Sequence, residues 1–318
     1  NLYPDVNWHN ELFNDFALNR RLNVNINGGG EVAQYYLSVT NSNEKGLLKV
    51  DALNNFNNNI DINRSNLRAN ININLTNTTK VAAKFYSLFE RYNGPIVSAS
   101  DIFRQVAQAN PANFPKVFEP DEATTNFNHT LFGNKGNGGF SNPYAESVRG
   151  YKDRFANTTL AQFQINQDLD FIVDGLKLRA MASVRTYTEN QNERSFTPFY
   201  YGSNEVQTPQ GVVNSLYQIQ EGTEFLNNPT VNNNGNSNFY YEAVLEYNRT
   251  FKEKHEIGGL LVTYFQEALN TIGGNTAFST LPSRNTGISG RTSYSYDSRY
   301  FGEFNFGYNG SEKFAKQN

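Results

Sequence analysis

The sequence contains no cysteine, one methionine and one tryptophan in 318 residues. The lack of cysteine excludes a disulfide scaffold, a cysteine-ligated zinc site and a thiol nucleophile. Charged residues are scarce at 18%, and 27 lysines and arginines stand against 30 aspartates and glutamates, so the chain has no basic footprint for nucleic acid. No run approaches the roughly 18 apolar residues that a spanning helix needs, so no transmembrane helix is predicted.

Aromatic residues and asparagine are abundant instead. The chain has 25 phenylalanines, 19 tyrosines and 49 asparagines, and its mean hydropathy is −0.63. Low hydropathy can indicate disorder, but disordered chains are poor in aromatic residues. The composition therefore predicts either a large polar β protein or a β-barrel whose apolar surface is spread over alternate residues.

Apolar and polar residues alternate with a period of two along much of the chain. In residues 67–75 the odd positions are all apolar and the even positions are arginine or asparagine. A strand with this pattern has one apolar and one wet face. We expect Ile71, Ile73 and Leu75 to face lipid, and Asn70, Asn72 and Asn74 to face the lumen or a plug. The same pattern recurs at 22–27, 163–171, 176–185, 241–248, 288–296 and 300–309.

Short turns and long loops alternate between these runs. Short connections are expected at 28–30, 76–79, 174–175, 252–254 and 297–298. Long connections are expected at about 43–60, 93–154, 190–237 and 271–286. Ordinary compact domains rarely carry loops this long, whereas outer-membrane barrels have short turns on one side and long extracellular loops on the other.

The length of the runs also favours a membrane barrel. Several exceed 12 residues, whereas globular strands cluster at about 5–6 and a tilted transmembrane strand needs roughly 9–11. Aromatic residues near the short turns suit an interfacial girdle; these are Phe171, Phe251, Tyr296, Tyr300 and Phe301. The prediction is an all-β protein, an antiparallel transmembrane β-barrel of which about ten strands are present. A soluble β-sandwich with these aromatic residues in its core is the alternative.

The long loops contain local signals of their own. Residues 98–109 combine apolar residues at helical spacing with a capping serine, taken as Ser100, and Pro111 stops the run, so a short helix is predicted. Residues 232–238 are rich in asparagine and glycine and are expected to be flexible and exposed.

The residues that usually carry catalysis are poorly placed. Asp168 and Asp170 lie about 7 Å apart on one strand face, but alternate carboxylates are expected on the wet face of a barrel. The histidines, His9, His129 and His255, lack metal-ligand spacing. No nucleophile elbow or phosphate loop is present. We therefore expect no catalytic residue, no metal, no cofactor and no enzymatic activity.

One aromatic cluster in the long loops is a candidate ligand site. Phe196, Phe199, Tyr200 and Tyr201 lie close together in sequence, and flat aromatic faces stack well on ligands at low entropic cost. The alternative is that these side chains pack the loop against its neighbours.

Several motifs resemble the SusC/RagA family of TonB-dependent outer-membrane transporters of Bacteroidetes. The opening stretch has Asn7-Trp8 followed by Glu11-Leu12-Phe13, then LNVNINGG at 22–29 and YYLS at 35–38. The closing stretch reads LPSRNTGISGR at 281–291, YSYDSRYFGEF at 294–304 and GYNGSEKF at 307–314. The resemblance is strongest at both ends and thin through 93–154 and 190–237.

This resemblance implies a barrel of about 22 strands in the cell outer membrane. Residues 1–318 would be part of the barrel domain of a TonB-dependent receptor, with the plug domain and the C-terminal strands outside this sequence. The edge runs 22–26 and 300–308 would then pair with strands that are also outside it.

The resemblance also implies a function, namely import of oligosaccharides or peptides by TonB-dependent gated passage. The implied partners are a SusD-like surface lipoprotein as a lid, TonB through the absent N-terminal region, and outer-membrane lipid; a dimer of transporter–lipoprotein pairs is a further expectation. Two alternatives stay open: a TonB-dependent receptor for a siderophore or cobalamin, and a β-rich surface adhesin.

Overall fold

The computed structural model describes residues 4–51, 54–136, 141–209, 211–270 and 281–313. Ten strands form the main sheet: β1 Arg20–Gly29, β2 Ala33–Lys45, β3 Asp61–Asn74, β4 Thr79–Pro95, β6 Gly150–Asp168, β7 Leu176–Ser195, β10 Thr230–Phe251, β11 His255–Asn270, β12 Ser283–Tyr296 and β13 Tyr300–Ser311. The other elements are helices α1 Trp8–Leu12, α2 Ala99–Gln108 and α3 Pro143–Val148, and strands β5 Phe132–Gly133, β8 Tyr200–Thr208 and β9 Gly211–Gln220.

The main sheet follows the order of the chain. Its strands are arranged β1-β2-β3-β4-β6-β7-β10-β11-β12-β13, and all neighbours are antiparallel. The five predicted hairpins and the count of about ten strands are confirmed. Within the described residues β1 pairs only with β2 and β13 only with β12, so no pairing closes this sheet. Pairing of the two edges with further strands stays a prediction.

Short turns lie at one end of the main sheet. The turns at Lys252-Glu253 and Asp297-Ser298 have two successive residues with φ between 49° and 59°, the backbone of the tight turns that match strand twist. The β6–β7 connection is longer than the predicted two-residue turn, because β6 ends at Asp168 and residues 169–175 form the link. A helical turn from Leu169 to Val173 takes up these residues.

The long connections lie at the other end and are more ordered than predicted. Residues 232–238, expected to be flexible, belong to β10 and pair with β7, as Asn234 does with Glu189. The backbone ladder here overrides the weak strand preference of asparagine. Residues 200–220, expected to be loop, form the β8–β9 hairpin. Of the predicted loop at 271–286, residues 271–280 lie outside the described part of the chain.

Short helices stabilise the long connections. Helix α2 confirms the predicted helix, but its N-cap is Ser98 and not Ser100: the Ser98 side chain accepts a hydrogen bond from the Asp101 N–H at 3.2 Å. Helix α3 begins after Asn142, whose side chain accepts from the Tyr144 and Ala145 N–H groups. Within the described residues, no helix has the length and apolar content needed to cross a membrane.

One hydrophobic cluster, the loop core, joins the segment before β1 to the β2–β3, β4–β6 and β7–β10 connections. In it, the indole of Trp8 packs on Phe114 with ring centroids 5.6 Å apart. Its buried members are Trp8, Leu12, Leu48, Ile102, Ala109, Phe114, Phe132, Tyr144, Ala145, Val148 and Tyr200. The hydrophobic core of the described chain therefore lies in the connections, while the main sheet leaves large apolar side chains exposed.

The two faces of the main sheet differ sharply in polarity. Through the register, Ile71 lies in line with Ala83 and Phe163 on one side of the sheet, the apolar face, whereas Asn70 lies in line with Lys84 on the other side, the polar face. The predicted separation of Ile71 and Ile73 from Asn70, Asn72 and Asn74 onto opposite faces is confirmed, whereas Leu75 follows the end of β3 and belongs to the turn. Ile71 remains 39% exposed, so nothing in the described chain covers the apolar face.

The apolar residues form a band that crosses the main sheet obliquely. Val24 in β1 lies in line with Leu67 in β3, but the same line reaches Ser87 in β4. Toward the other edge, the line through Leu176 in β7 ends at Phe304 in β13. The band thus shifts by about one residue per strand, which is the stagger that tilted strands show in a barrel.

The aromatic residues near the short turns divide between the faces. Phe251, His255, Tyr296 and Tyr300 are successive cross-strand partners on the apolar face, and the rings of Tyr296 and Tyr300 stack with centroids 6.5 Å apart. Phe301 is adjacent to Tyr300 and so points to the polar face. Phe251, Tyr296 and Tyr300 therefore remain as candidates for the girdle, whereas Phe171 lies in the link between β6 and β7 and is not on a strand face.

Candidate functional site

The polar face carries an ion-pair network near its loop end. Arg64 contacts Glu44 at 3.0 Å and Glu90 at 2.5 Å. Arg154 contacts Glu90 and, at 3.6 Å, Glu189. The side chains reach one another because β2, β3, β4, β6 and β7 are consecutive neighbours. Two arginines and three glutamates hold each other in fixed positions, so this part of the wall is rigid and nearly charge-compensated.

The predicted aromatic cluster divides into two buried rings and two partly buried rings, of which Phe196 also packs against the loop core. Tyr200 and Tyr201 are only 6% and 2% exposed. The Tyr200 hydroxyl donates to Glu146 at 3.3 Å, and burial raises the pKa of Tyr200 well above its usual value. These two tyrosines pack the loops together, as the alternative interpretation of the cluster holds.

Phe196 and Phe199 line an open cleft of about 570 Å³ between the long connections. We call it the aromatic cleft and define it by Phe56, His129, Phe196, Phe199 and Phe225. Phe199 stacks on the imidazole of His129 with ring centroids 3.7 Å apart and an interplanar angle of 16°. Phe225 is 79% exposed. The volume falls within the range of small-molecule sites.

His129 is a cleft residue that sequence reasoning did not assign. Its spacing in the sequence bears only on metal binding, whereas its neighbours in the structure are Phe127 and two residues about 70 positions away, Phe199 and Tyr201. Its Nε2 lies 2.9 Å from the Tyr201 hydroxyl. Burial lowers the pKa of His129, and the nearby Glu224 carboxylate opposes this in part.

Backbone hydrogen bonds to one carboxylate join two of the long connections. Asp121 accepts from the Leu216 N–H of β9 at 2.9 Å and from the Thr124 N–H at 2.9 Å. These bonds lower the pKa of Asp121, the Leu216 bond being the largest cause. The β8–β9 hairpin is thereby tied to the turn at 121–124.

The arrangement is suited to binding. Asn54, Asn128, Arg194 and Glu224 supply amide and charged groups beside the aromatic faces of the cleft, a combination that can hold a polar chain with flat or apolar units. In the part of the chain that the structure describes, no three histidine, aspartate or glutamate side chains come together so as to hold a metal ion.

The fold defines a class of protein. Antiparallel strands in chain order, an oblique apolar band on one face, short turns at one end and packed loops at the other are together consistent with a section of the wall of a β-barrel.

Comparison with solved structures agrees with this class. The chain is similar to chains in two structures of the RagAB peptide importer, in its open-open state at 15% identity and TM-score 0.62 and in its closed-closed state at 14% and 0.60. A structure of the RagAB peptide transporter gives 14% and 0.62. Each match covers 99% of this chain and 34% of the other, so the chain spans about a third of the length of those chains.

The similarity is one of fold. Neither a comparison with protein-family models nor one with curated protein sequences gives a match. The shared fold agrees with the β-barrel that the motif resemblance implies, at 14–15% sequence identity.

Proposed function

We propose that this chain is part of the barrel wall of a TonB-dependent outer-membrane transporter of the SusC/RagA type. The observation that carries the proposal is the exposed oblique apolar band. Leu22, Val24 and Ile26 are 66%, 53% and 56% exposed, and soluble monomers rarely leave so large a continuous apolar surface in water. A bilayer is the solvent that such a face requires.

The two faces then take different roles. The apolar face contacts lipid, and the polar face, with its asparagines and its ion-pair network, lines the lumen. Backbone groups in lipid must be paired, and the continuous antiparallel ladder pairs them from strand to strand. The short turns are periplasmic, and the long connections with the loop core are extracellular.

The activity of such a protein is gated passage of a solute. A plug and TonB, engaged through regions outside this sequence, would control the lumen, and a SusD-like lipoprotein would cover the extracellular loops. The substrate would be an oligopeptide or an oligosaccharide. The aromatic cleft, through Phe196 and Phe199, is the proposed extracellular contact for substrate or lid. The fold shared with the RagAB peptide importer supports the peptide alternative.

Labelling of intact cells tests the topology. Residues 1–318 contain no cysteine. The label taken up by a single cysteine variant of the full-length protein can therefore be compared with the background label of the unsubstituted protein. We expect a membrane-impermeant maleimide to label Phe225→Cys, which lies in the long connection, and not Ser298→Cys, which lies in a short turn.

A matched permeabilised sample shows whether both positions can react. Labelling of both variants only after permeabilisation, or of Ser298→Cys alone in intact cells, would contradict the proposed orientation. Recovery of the protein in the aqueous fraction without detergent would contradict the membrane assignment and favour an adhesin.

A further inference from the structure

The middle of the polar face carries positive charges that have no carboxylate partner among the described residues. Arg68, Lys80, Lys84 and Arg185 all point to this face by register, and we call them the basic belt. In the described residues none of them has a carboxylate oxygen within 4.0 Å, whereas the arginines of the network near the loops are all paired. Glu242, an acidic residue of the same stretch, is already bound by Arg179 at 3.2 Å.

The belt has a defined geometry. Arg68 and Arg185 lie in one line across four strands, through Tyr86 and Leu160. Three strand spacings separate them by about 14 Å between backbones. Lys84 is the diagonal neighbour of Arg68, at about 7–8 Å. The guanidinium of Arg68 lies over the Tyr86 ring, 5.7 Å from its centroid, which limits its freedom.

Unpaired cations of one sign repel one another, and low-dielectric walls focus their field into the space that they face. An anionic group entering that space removes the repulsion and gains charge-assisted hydrogen bonds, since a guanidinium fork fits a carboxylate. Every second side chain of an extended peptide recurs at about 7 Å. Two carboxylates on alternate units are therefore about as far apart as Arg68 and Lys84. Two carboxylates four units apart are about as far apart as Arg68 and Arg185.

We propose that the basic belt is a binding site on the lumen wall for an oligomer bearing carboxylates on alternate units. This rests on the proposed function, because it takes the polar face as the lumen. It deepens that function by assigning an acidic substrate class. Acidic peptides and uronate-containing oligosaccharides share the chemistry, and the probes distinguish them.

The test is direct binding to the full-length detergent-solubilised protein at low salt. The probes are fluorescent hexaglutamate, hexaglutamine and an oligogalacturonate of matched length. We expect hexaglutamate or the oligogalacturonate to bind at least tenfold more tightly than hexaglutamine, and to weaken as salt rises. Arg68→Glu with Arg185→Glu should reduce that affinity at least tenfold, and the milder Arg185→Gln should reduce it in the same direction.

The matched control is Arg91→Glu, which alters an exposed arginine on the opposite face of β4 and should leave binding unchanged. Equal binding of hexaglutamine, or an equal loss from Arg91→Glu, would overturn the inference. So would a variant that keeps its affinity but exposes new protease sites elsewhere in the protein, because the belt would then hold another segment of the same chain.

The same variants separate this inference from the proposed function. If labelling of Phe225→Cys and Ser298→Cys gives the proposed topology but no acidic probe binds, the transporter assignment stands and the acidic substrate class is wrong. If the labelling contradicts the proposed topology, the assignment of the polar face to the lumen is wrong, and the inference loses its basis.

Discussion

The phenyl ring of Phe199 and the imidazole of His129 stack 3.7 Å apart, and the same imidazole contacts the Tyr201 hydroxyl at 2.9 Å. This contact joins the β4–β6 connection to the β7–β10 connection at the mouth of the aromatic cleft. Because His129 is partly buried, its neutral form is favoured in the folded protein, and its pKa is lowered.

The first prediction is a loss of loop order on acidification. A histidine whose folded pKa is lowered contributes its full stability above the unfolded pKa of about 6.5. That contribution falls as the pH drops through this value toward the folded pKa. We expect protease cleavage within residues 121–134 to accelerate between pH 7.5 and 5.5. His129→Gln should remove the pH dependence, and an unchanged acceleration in that variant would assign it to another group.

The second prediction separates ligand contact from packing in the aromatic cluster. Phe199→Ala should weaken ligand or lid binding while the loops stay folded, since Phe199 lines the cleft. Tyr201→Ala should loosen the loops themselves, at a cost of about 3–5 kcal/mol for a buried aromatic side chain. Binding assays paired with limited proteolysis distinguish the two. Similar proteolysis of both variants would show that Phe199 is also a packing residue.

Sequence reasoning predicted the main sheet well because the signal is local. Period-two alternation at 67–75 depends only on neighbouring residues, and a one-residue slip would turn Ile71 to the wrong face. The same locality found helix α2. Local signals do not distinguish Ser98 from Ser100 as the N-cap, because both serines precede the apolar run. Only the backbone conformation shows which serine caps the helix.

The loops could not be predicted in this way, since their order comes from distant contacts. Tyr200 is buried because Glu146 and the loop core surround it, and neither fact has a sequence signature. Residues 232–238 are predicted from composition to be flexible, but each of them pairs with a residue of β7 in the structure. His129 had no signal beyond its residue type.

The third prediction concerns the membrane face. Ile71, in the middle of the apolar run 67–75, lies on the apolar face, and the adjacent Asn72 lies on the polar face of β3. An arginine near the bilayer midplane costs about 2–4 kcal/mol on a lipid-facing site and little on a lumen-facing one. Ile71→Arg should therefore lower the temperature at which the folded band is lost in a heat-modifiability gel, and Asn72→Arg should not. Equal shifts would show that the faces are assigned wrongly or that no lipid covers them.

The fourth prediction concerns the ion-pair network of the polar face. Glu90 is the residue on which Arg64 and Arg154 both converge, and its side chain is only 16% exposed. In Glu90→Gln the two guanidiniums would remain close together without the negative charge that they share. Breaking a fully buried pair costs about 3–5 kcal/mol, and partial exposure of both arginines reduces this to about 1–2 kcal/mol.

The matched control is Asp174→Asn, which breaks the pair with Arg249 at a carboxylate that is 70% exposed; it should change stability by less than about 1 kcal/mol. Urea unfolding of the full-length protein in detergent measures both. A smaller effect from Glu90→Gln than from Asp174→Asn would mean that water, and not the Glu90 carboxylate, already compensates the charges of Arg64 and Arg154.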